Sequence, residues 1–143
     1  MMKIIVKPLL IRKSSNSYKK ELYVSDEVKN FILSFNRKEE DKIVNAVLYK
    51  LEYLACRGFD VDRTNVKHEW DGVYRIAVKG SKGDNRDGRI IGFYDRNNFI
   101  AIYSFYKNEQ KLKKQQKVII DKVARIKRNN QWMYGIGGNY GAN

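Results

Sequence analysis

The spacing of the apolar residues changes near residue 66, and this change restricts the chain to a fold that combines helices and strands. Before it, two apolar stripes with helical spacing occupy residues 26–35 and 37–57. After it, apolar and polar residues alternate over 66–70, which is the pattern of a strand with one buried face. We therefore predict that two helices precede a set of strands.

Individual residues and residue pairs indicate where these elements begin and end. Ser25 is a typical helix N-cap residue, and Gly58 is a typical C-terminal stop. The Asp71-Gly72 pair predicts a tight hairpin turn. We predict strands over 3–12, 21–24, 66–70, 73–79, 89–94 and 99–106, and a last helix over 107–128.

The order of the main elements is β-α-α-β-β-β-α. It predicts an α+β fold, in which a small curved antiparallel sheet carries an N-terminal helical hairpin and a C-terminal helix on one face. A chain of 143 residues fits a single domain, which we assign to 1–128. Residues 129–143 form a tail rich in Gly, Asn and aromatic residues, expected to be loosely ordered or to fold over the sheet.

The charge of the chain points to its partners. Lys and Arg number 29 against 16 Asp and Glu, which gives a net charge of +13. Charge of this size suits a nucleic acid, an anionic membrane surface or an acidic protein, with solubility alone as the alternative. Ten Tyr and six Phe are interleaved with the basic residues and favour nucleic acid, because bases stack on aromatic rings.

The sequence also argues against several classes of protein. No apolar run approaches the roughly 20 residues of a membrane span, and residues 1–10 lack the features of a secretory signal. Cys56 is the only cysteine and His68 the only histidine, so neither an internal disulfide nor a Cys- or His-rich metal site is expected. We predict a cytoplasmic protein without a metal or another cofactor.

RNA cleavage needs no metal, because RNA supplies its own nucleophile, the 2′-OH. Such an enzyme needs a base for the 2′ proton, cations for the phosphorane and an acid for the departing 5′ oxygen. Arg suits the second role, since its planar fork matches two phosphate oxygens. Lys, Tyr or His can serve the other two roles.

Four segments resemble the RelE/HigB superfamily of ribosome-dependent mRNA-cleaving toxins, most closely its HigB-like, phage-derived branch. They are LACRG at 54–58, WDGVYRI at 70–76, GRIIGFY at 88–94 and FYKNEQK at 105–111, followed by Ala124-Arg125 in the last helix. The likeness covers about Val44 to Arg128.

The resemblance assigns roles to individual residues. It implies that Arg89 contacts the scissile phosphate and that Lys107 is the first lysine after the last strand. The sequence departs from the family at two positions: the second strand arginine would fall at Ala77, while Arg75 takes the place of the family's Glu, and Asn108 replaces a second lysine. Arg75 can supply the missing charge from the same strand face, since i and i+2 point alike.

The candidate site follows from both arguments. The catalytic candidates are Arg89, Lys107, Arg75, Tyr106 and Lys111. The RNA-binding candidates are Lys67, His68, Tyr94, Tyr103, Gln110, Lys113 and Lys114. Several have a structural alternative: the two arginines as solvated sheet residues, Tyr94 and Tyr103 as core or half-exposed sheet residues, His68 as a surface residue, and the lysines of 111–114 as a solvated helix start.

Together these features predict a metal-independent mRNA endoribonuclease, the toxin of a type II toxin–antitoxin pair. Its cleavage would leave a 2′,3′-cyclic phosphate. The expected partners are mRNA on the ribosome, rRNA and an acidic antitoxin, and no membrane. The alternatives are a non-enzymatic RNA- or DNA-binding accessory protein of a phage or mobile element, and a domain whose charge serves only an acidic protein.

Overall fold

The computed structural model describes residues 3–9, 21–34, 40–59, 66–79, 87–106 and 112–135. It contains seven strands and three helices within these ranges. In chain order they are β1 (Ile4–Pro8), β2 (Glu21–Val24), α1 (Asp26–Ser34), α2 (Glu40–Arg57), β3 (Val66–His68), β4 (Val73–Lys79), β5 (Asp87–Asp95), β6 (Asn98–Tyr106), α3 (Leu112–Arg128) and β7 (Trp132–Tyr134).

All seven strands form one mixed sheet, in the order β3-β4-β5-β6-β2-β1-β7. Strands β3 to β6 are antiparallel neighbours, as the short connections predict. Strand β2, however, pairs with β6 in parallel, and β7 pairs with β1 in parallel. The prediction of a small, purely antiparallel sheet is therefore wrong. Loop length identifies neighbours along the chain, whereas these parallel pairs join segments far apart in sequence.

The helices cover both faces of the sheet. Helices α1 and α2 pack on one face (the α1–α2 face) around Phe31, Leu51 and Phe99. Helix α3 packs on the other (the α3 face) around Phe93 and Ile120. The predicted placement of all helices on one face is thus wrong, and so is the helical hairpin, since α1 packs chiefly on β6 rather than on α2.

The sequence of β5 explains why helices cover both faces of the sheet. Its residues from Gly88 to Phe93 are all buried. A strand with one solvated face alternates apolar and polar residues, whereas a strand covered on both faces has a continuous apolar run. The segment IIGF at 90–93 has this second pattern.

The predicted local signals are present. The Ser25 hydroxyl accepts the Val28 N–H at 3.2 Å, as an N-cap should, and donates to the carbonyl of Ile102 at 2.8 Å. Asp71 and Gly72 both have positive φ, 55° and 76°, which is the conformation of a two-residue hairpin turn.

A bulge in the β5–β6 pair fixes the position of one glycine. Ile91 lies opposite Tyr103, but Gly92 lies opposite Ala101, so Ile102 is an extra residue. A Cβ on Gly92 would lie 2.0 Å from the carbonyl oxygen of Ile100. Only glycine allows the two backbones to approach this closely.

Strand β7 lies within the tail, which we predicted to be loosely ordered or to fold over the sheet. The sheet curls on the α3 face, so that the rings of Trp132 on β7 and Phe93 on β5 are 5.3 Å apart, although four steps in strand order separate them. Tyr134 secures this closure. Its hydroxyl donates to Asp95 at 2.5 Å and accepts from Asn98 at 3.2 Å.

Tyr134 gives the fold a measurable pH dependence. Burial, and then the hydrogen bond to Asp95, raise its pKa from 10.0 to about 12. A raised folded-state pKa favours the protonated phenol, so this stabilisation is complete below pH 10 and is lost as the pH rises from 10 through 12. We expect a loss on the order of 1 kcal/mol, because solvent screens part of the interaction.

The measurement is urea unfolding between pH 8 and pH 12 for the parent protein and Tyr134→Phe. Other tyrosines and lysines titrate in the same range, so the difference between the two proteins is the readout. That difference should shrink as the pH rises. A difference that stays constant up to pH 12 would show that the Tyr134 hydroxyl does not stabilise the fold in this way.

Candidate nucleic-acid interface

The solvent side of α3 is strongly basic. The helix buries Ile120, Val123 and Ile126 against the sheet. Its exposed residues include one acid, Asp121, and five cations: Lys114, Lys117, Lys122, Arg125 and Arg128. An amphipathic helix with this outer surface attracts a polyanion.

Arg75 and Arg89 lie on neighbouring strands of the sheet, β4 and β5. Arg75 on β4 is opposite Ile91, and Arg89 on β5 is opposite Ala77, so the two arginines are diagonal neighbours on the α3 face. Arg75 also donates from Nη1 to Oε1 of Gln116 on α3, at 3.4 Å. The sheet therefore brings together two of the predicted catalytic residues.

The two arginines differ in accessibility. Arg75 forms an ion pair with Glu69, with 3.3 Å between Nε and Oε1, and its side chain is 21% exposed. The side chain of Arg89 is only 9% exposed, and its Nη1 donates to Asp87 Oδ1 at 2.5 Å and to the Gly88 carbonyl at 2.8 Å. Arg75 is therefore the more accessible of the two cations, whereas Arg89 is mainly an internal cation.

Two further candidates share the α3 face. Lys67 on the edge strand β3 lies opposite Arg75 and is exposed. Tyr103 on β6 lies opposite Ile91, and Lys122 Nζ is 4.8 Å from the centre of its ring. Tyr103 is thus a half-buried aromatic surface beside the cations, which suits base stacking.

The remaining described aromatic candidates lie on the α1–α2 face. The Tyr94 ring packs against Tyr74 and Phe99, with centroids 4.8 and 5.2 Å away. His68 is exposed, opposite Tyr74. Tyr106 packs on Phe31 of α1, with ring centroids 5.0 Å apart. The sheet therefore separates Tyr106, Tyr94 and His68 from the two arginines.

Five of the predicted residues belong to the segment between β6 and the first turn of α3. Lys107, Gln110 and Lys111 lie outside the described residues. Lys113 belongs to α3, and Lys114 is exposed on the same helix. Lys107 directly follows Tyr106 in sequence, at the end of β6.

Sequence reasoning missed the polar partners of the arginines. Glu69 and Asp87 are the carboxylates that hold Arg75 and Arg89. Asp87 could have been found, because it lies two residues before Arg89 on the same strand and so shares its face. Gln116 carried no comparable signal, since its contact depends on which face α3 covers.

The comparisons with known proteins are negative. No protein-family model, curated protein or solved structure matches the chain. Within the described ranges, no cluster of three or more His, Cys, Asp or Glu side chains could bind a metal ion. None of the helices in the described part is both long and apolar enough to traverse a bilayer.

The burial of the two ion pairs predicts the cost of removing each arginine. Arg89→Ala leaves Asp87 without its buried cation and should lower the free energy of unfolding by about 2–3 kcal/mol. Arg75→Ala removes a more exposed cation, but it leaves the Glu69 side chain, which is 9% exposed, without its partner and should have a similar cost. Chemical denaturation of both variants measures these costs. A cost below about 1 kcal/mol for Arg89→Ala would contradict the assignment of Arg89 as the internal cation.

Proposed function

We propose that this protein binds RNA on its α3 face and cuts mRNA on the ribosome without a metal ion, as the toxin of a type II toxin–antitoxin pair. The observation that carries the proposal is the placement of Arg75 and Arg89 on one sheet face, beside Tyr103 and the basic side of α3. This combination offers phosphate contacts and a stacking surface within one region.

The electrostatic part of the proposal rests on α3. Its five exposed cations follow the helix axis, and Lys67 and Arg75 extend the positive surface onto the sheet. Cations arranged along an axis can contact successive phosphates of a strand. An acidic antitoxin would neutralise the same surface, so toxin inhibition and RNA binding would compete.

The chemical part of the proposal assigns the cationic role to Arg75. A base takes the 2′ proton, the 2′ oxygen bonds to phosphorus, and the bond to the 5′ oxygen breaks as an acid protonates it. The guanidinium of Arg75 stabilises the charge on the phosphorane, and Arg89 supports that part of the sheet. The proton carriers in this proposal are Lys107 and Lys111, which the resemblance selects. Tyr106 is left out, because it faces α1.

A second candidate function is RNA binding without cleavage. The resemblance assigns the guanidinium of Arg89 to the scissile phosphate. Arg89 is instead buried, and its Nη1 bonds to Asp87 and Gly88, which favours binding without cleavage. The two candidates predict the same affinity for RNA and differ only in whether the RNA is cut.

Cleavage tests the first candidate directly. Expression of the parent chain should arrest growth and cut translated mRNA, and Arg75→Ala should reduce cutting by about 10²-fold or more, with Arg75→Lys in between. The cut ends should carry the 2′,3′-cyclic phosphate that attack by the 2′-OH leaves. The matched control is Arg96→Asn, an exposed turn arginine with φ 58° at the opposite end of β5, where Asn tolerates the left-handed conformation.

Several results would reject this assignment. They are cutting that Arg75→Ala leaves at the parent level, cut ends that carry a free 3′-OH, and intact mRNA in cells that express the parent chain. The last of these, combined with salt-dependent RNA binding, would favour the second candidate.

Salt dependence tests the binding surface. In the triple variant Lys117→Gln, Lys122→Gln and Arg125→Gln, the slope of log K against log salt should fall by about 2, because each lost contact to single-stranded RNA contributes about 0.7. Arg57→Gln with Arg96→Asn removes two exposed charges away from α3 and should leave the slope unchanged. Equal slopes for the triple variant and the parent would place the RNA elsewhere.

A further inference from the structure

A cavity of about 540 Å³ lies between α1 and the last residues of β6. It exists because β2 pairs with β6 only from Asn98 to Ala101, whereas β5 pairs with β6 along its whole length. Beyond this point α1, in place of a strand, borders that edge of β6. The volume is in the usual range for a site that encloses a small organic group.

The walls of the cavity combine aromatic rings with polar atoms. Phe31 and Tyr106 supply the aromatic surface, while Phe105 lines the cavity at the strand edge, since its side chain packs on the α3 face. Ser104 directly precedes Phe105 on β6, and its Oγ is buried with no hydrogen-bond partner among the described residues. A buried hydroxyl of this kind costs free energy unless a ligand or water satisfies it. The cavity is therefore suited to a flat ring with polar edges.

Glu27, in the first turn of α1, supplies the only carboxylate on the described wall of the cavity. Its Oε2 accepts the backbone N–H of Ser104 at 3.2 Å, which fixes the carboxylate at the edge of β6. Burial raises the pKa of Glu27, while the hydrogen bond from Ser104 and the charge of Lys122 lower it. A positioned carboxylate only accepts hydrogen bonds, so it selects a ligand that offers adjacent donors.

We infer that this cavity binds a guanine base, with the carboxylate of Glu27 accepting from its N1–H and its 2-amino group. Guanine is the RNA base whose Watson–Crick edge presents two adjacent donors. Adenine and cytosine each place a ring-nitrogen acceptor beside their amino group, which would face the carboxylate unfavourably. Stacking on the cavity's aromatic rings would hold the base, as in other single-strand readers.

The inference rests on the proposed function and deepens it. Lys122 influences Glu27 and also lies over Tyr103, so it connects the cavity to the α3 face. A guanosine in the cavity would therefore place its phosphate near the basic surface assigned to RNA. The cavity would add base selectivity to a surface that otherwise reads only phosphates.

Nucleotide titrations of the whole chain test the inference. GMP should bind at least 10-fold more tightly than AMP or CMP, since a bidentate base contact contributes about 1–3 kcal/mol of discrimination. IMP, which lacks the 2-amino group, should fall between. A 15-residue oligo(A) with a single central G, compared with oligo(A) alone, distinguishes a guanine read within RNA from a site for free nucleotides.

Glu27→Gln is the decisive variant, because its amide oxygen can still accept from Ser104 while the second acceptor is replaced by a donor. It should abolish the preference for guanine and leave the unfolding midpoint close to that of the parent. Asp26→Asn is the matched control, an exposed carboxylate one residue earlier, and should keep the preference. Ser104→Ala should weaken GMP binding without changing the order of the bases.

The outcomes separate the inference from the proposed function. A preference for guanine in either GMP or the oligonucleotide that Glu27→Gln removes supports the inference. Equal binding of all bases, no base preference in either format, or a preference that Glu27→Gln retains overturns it. In those cases salt-dependent RNA binding through α3 and cutting that depends on Arg75 can still hold. Guanine-selective binding of GMP without any binding of RNA would overturn the proposed function alone.

Discussion

The two edges of β6 have different partners, and most of the structure depends on this difference. Along one edge, β5 pairs with the whole of β6. Along the other edge, β2 pairs with β6 only as far as Ala101, because the chain leaves the sheet at Ser25 and begins α1. Ser25 therefore has two tasks, since its hydroxyl caps the helix and also bonds to the carbonyl of Ile102. The end of β2 thereby positions α1 and opens the cavity beside Glu27.

The second constraint is that the sheet is covered on both faces. The apolar run of β5 requires helices on either side, and the period of two then sends neighbouring residues to opposite layers. This geometry brings Arg75, Arg89 and Tyr103 together on the α3 face and removes Tyr106 from them. A strand residue can join a site only with residues of its own face, so the layer arrangement selects the site.

The sequence was informative about local structure and less so about topology. Ser25 and the Asp71-Gly72 turn are decided by backbone hydrogen bonds within a few residues, and strand 73–79 by side-chain alternation, so these could be predicted. The parallel pairing of β2 with β6 and the strand Trp132–Tyr134 depend on contacts between distant segments. No local pattern encodes such contacts.

The candidate site could likewise be predicted only in part. The order of elements along the chain placed Arg75 and Arg89 on consecutive predicted strands, and the structure pairs these two strands. Their carboxylate partners and the burial of Arg89 follow from the tertiary packing of α3 and could not be predicted. The charge of +13 indicated an anionic partner, but the exposed side of α3 became identifiable only when the structure showed which side the core covers.

Ultraviolet cross-linking of the protein to a labelled RNA, followed by peptide mass spectrometry, tests the central claim most directly. The account predicts cross-links in peptides that contain Tyr103 or belong to α3, and none at Tyr49 and Tyr53, which are exposed on α2 on the other side of the sheet. Cross-links concentrated on α2, with α3 unmodified, would contradict the assignment of the α3 face as the RNA-binding surface.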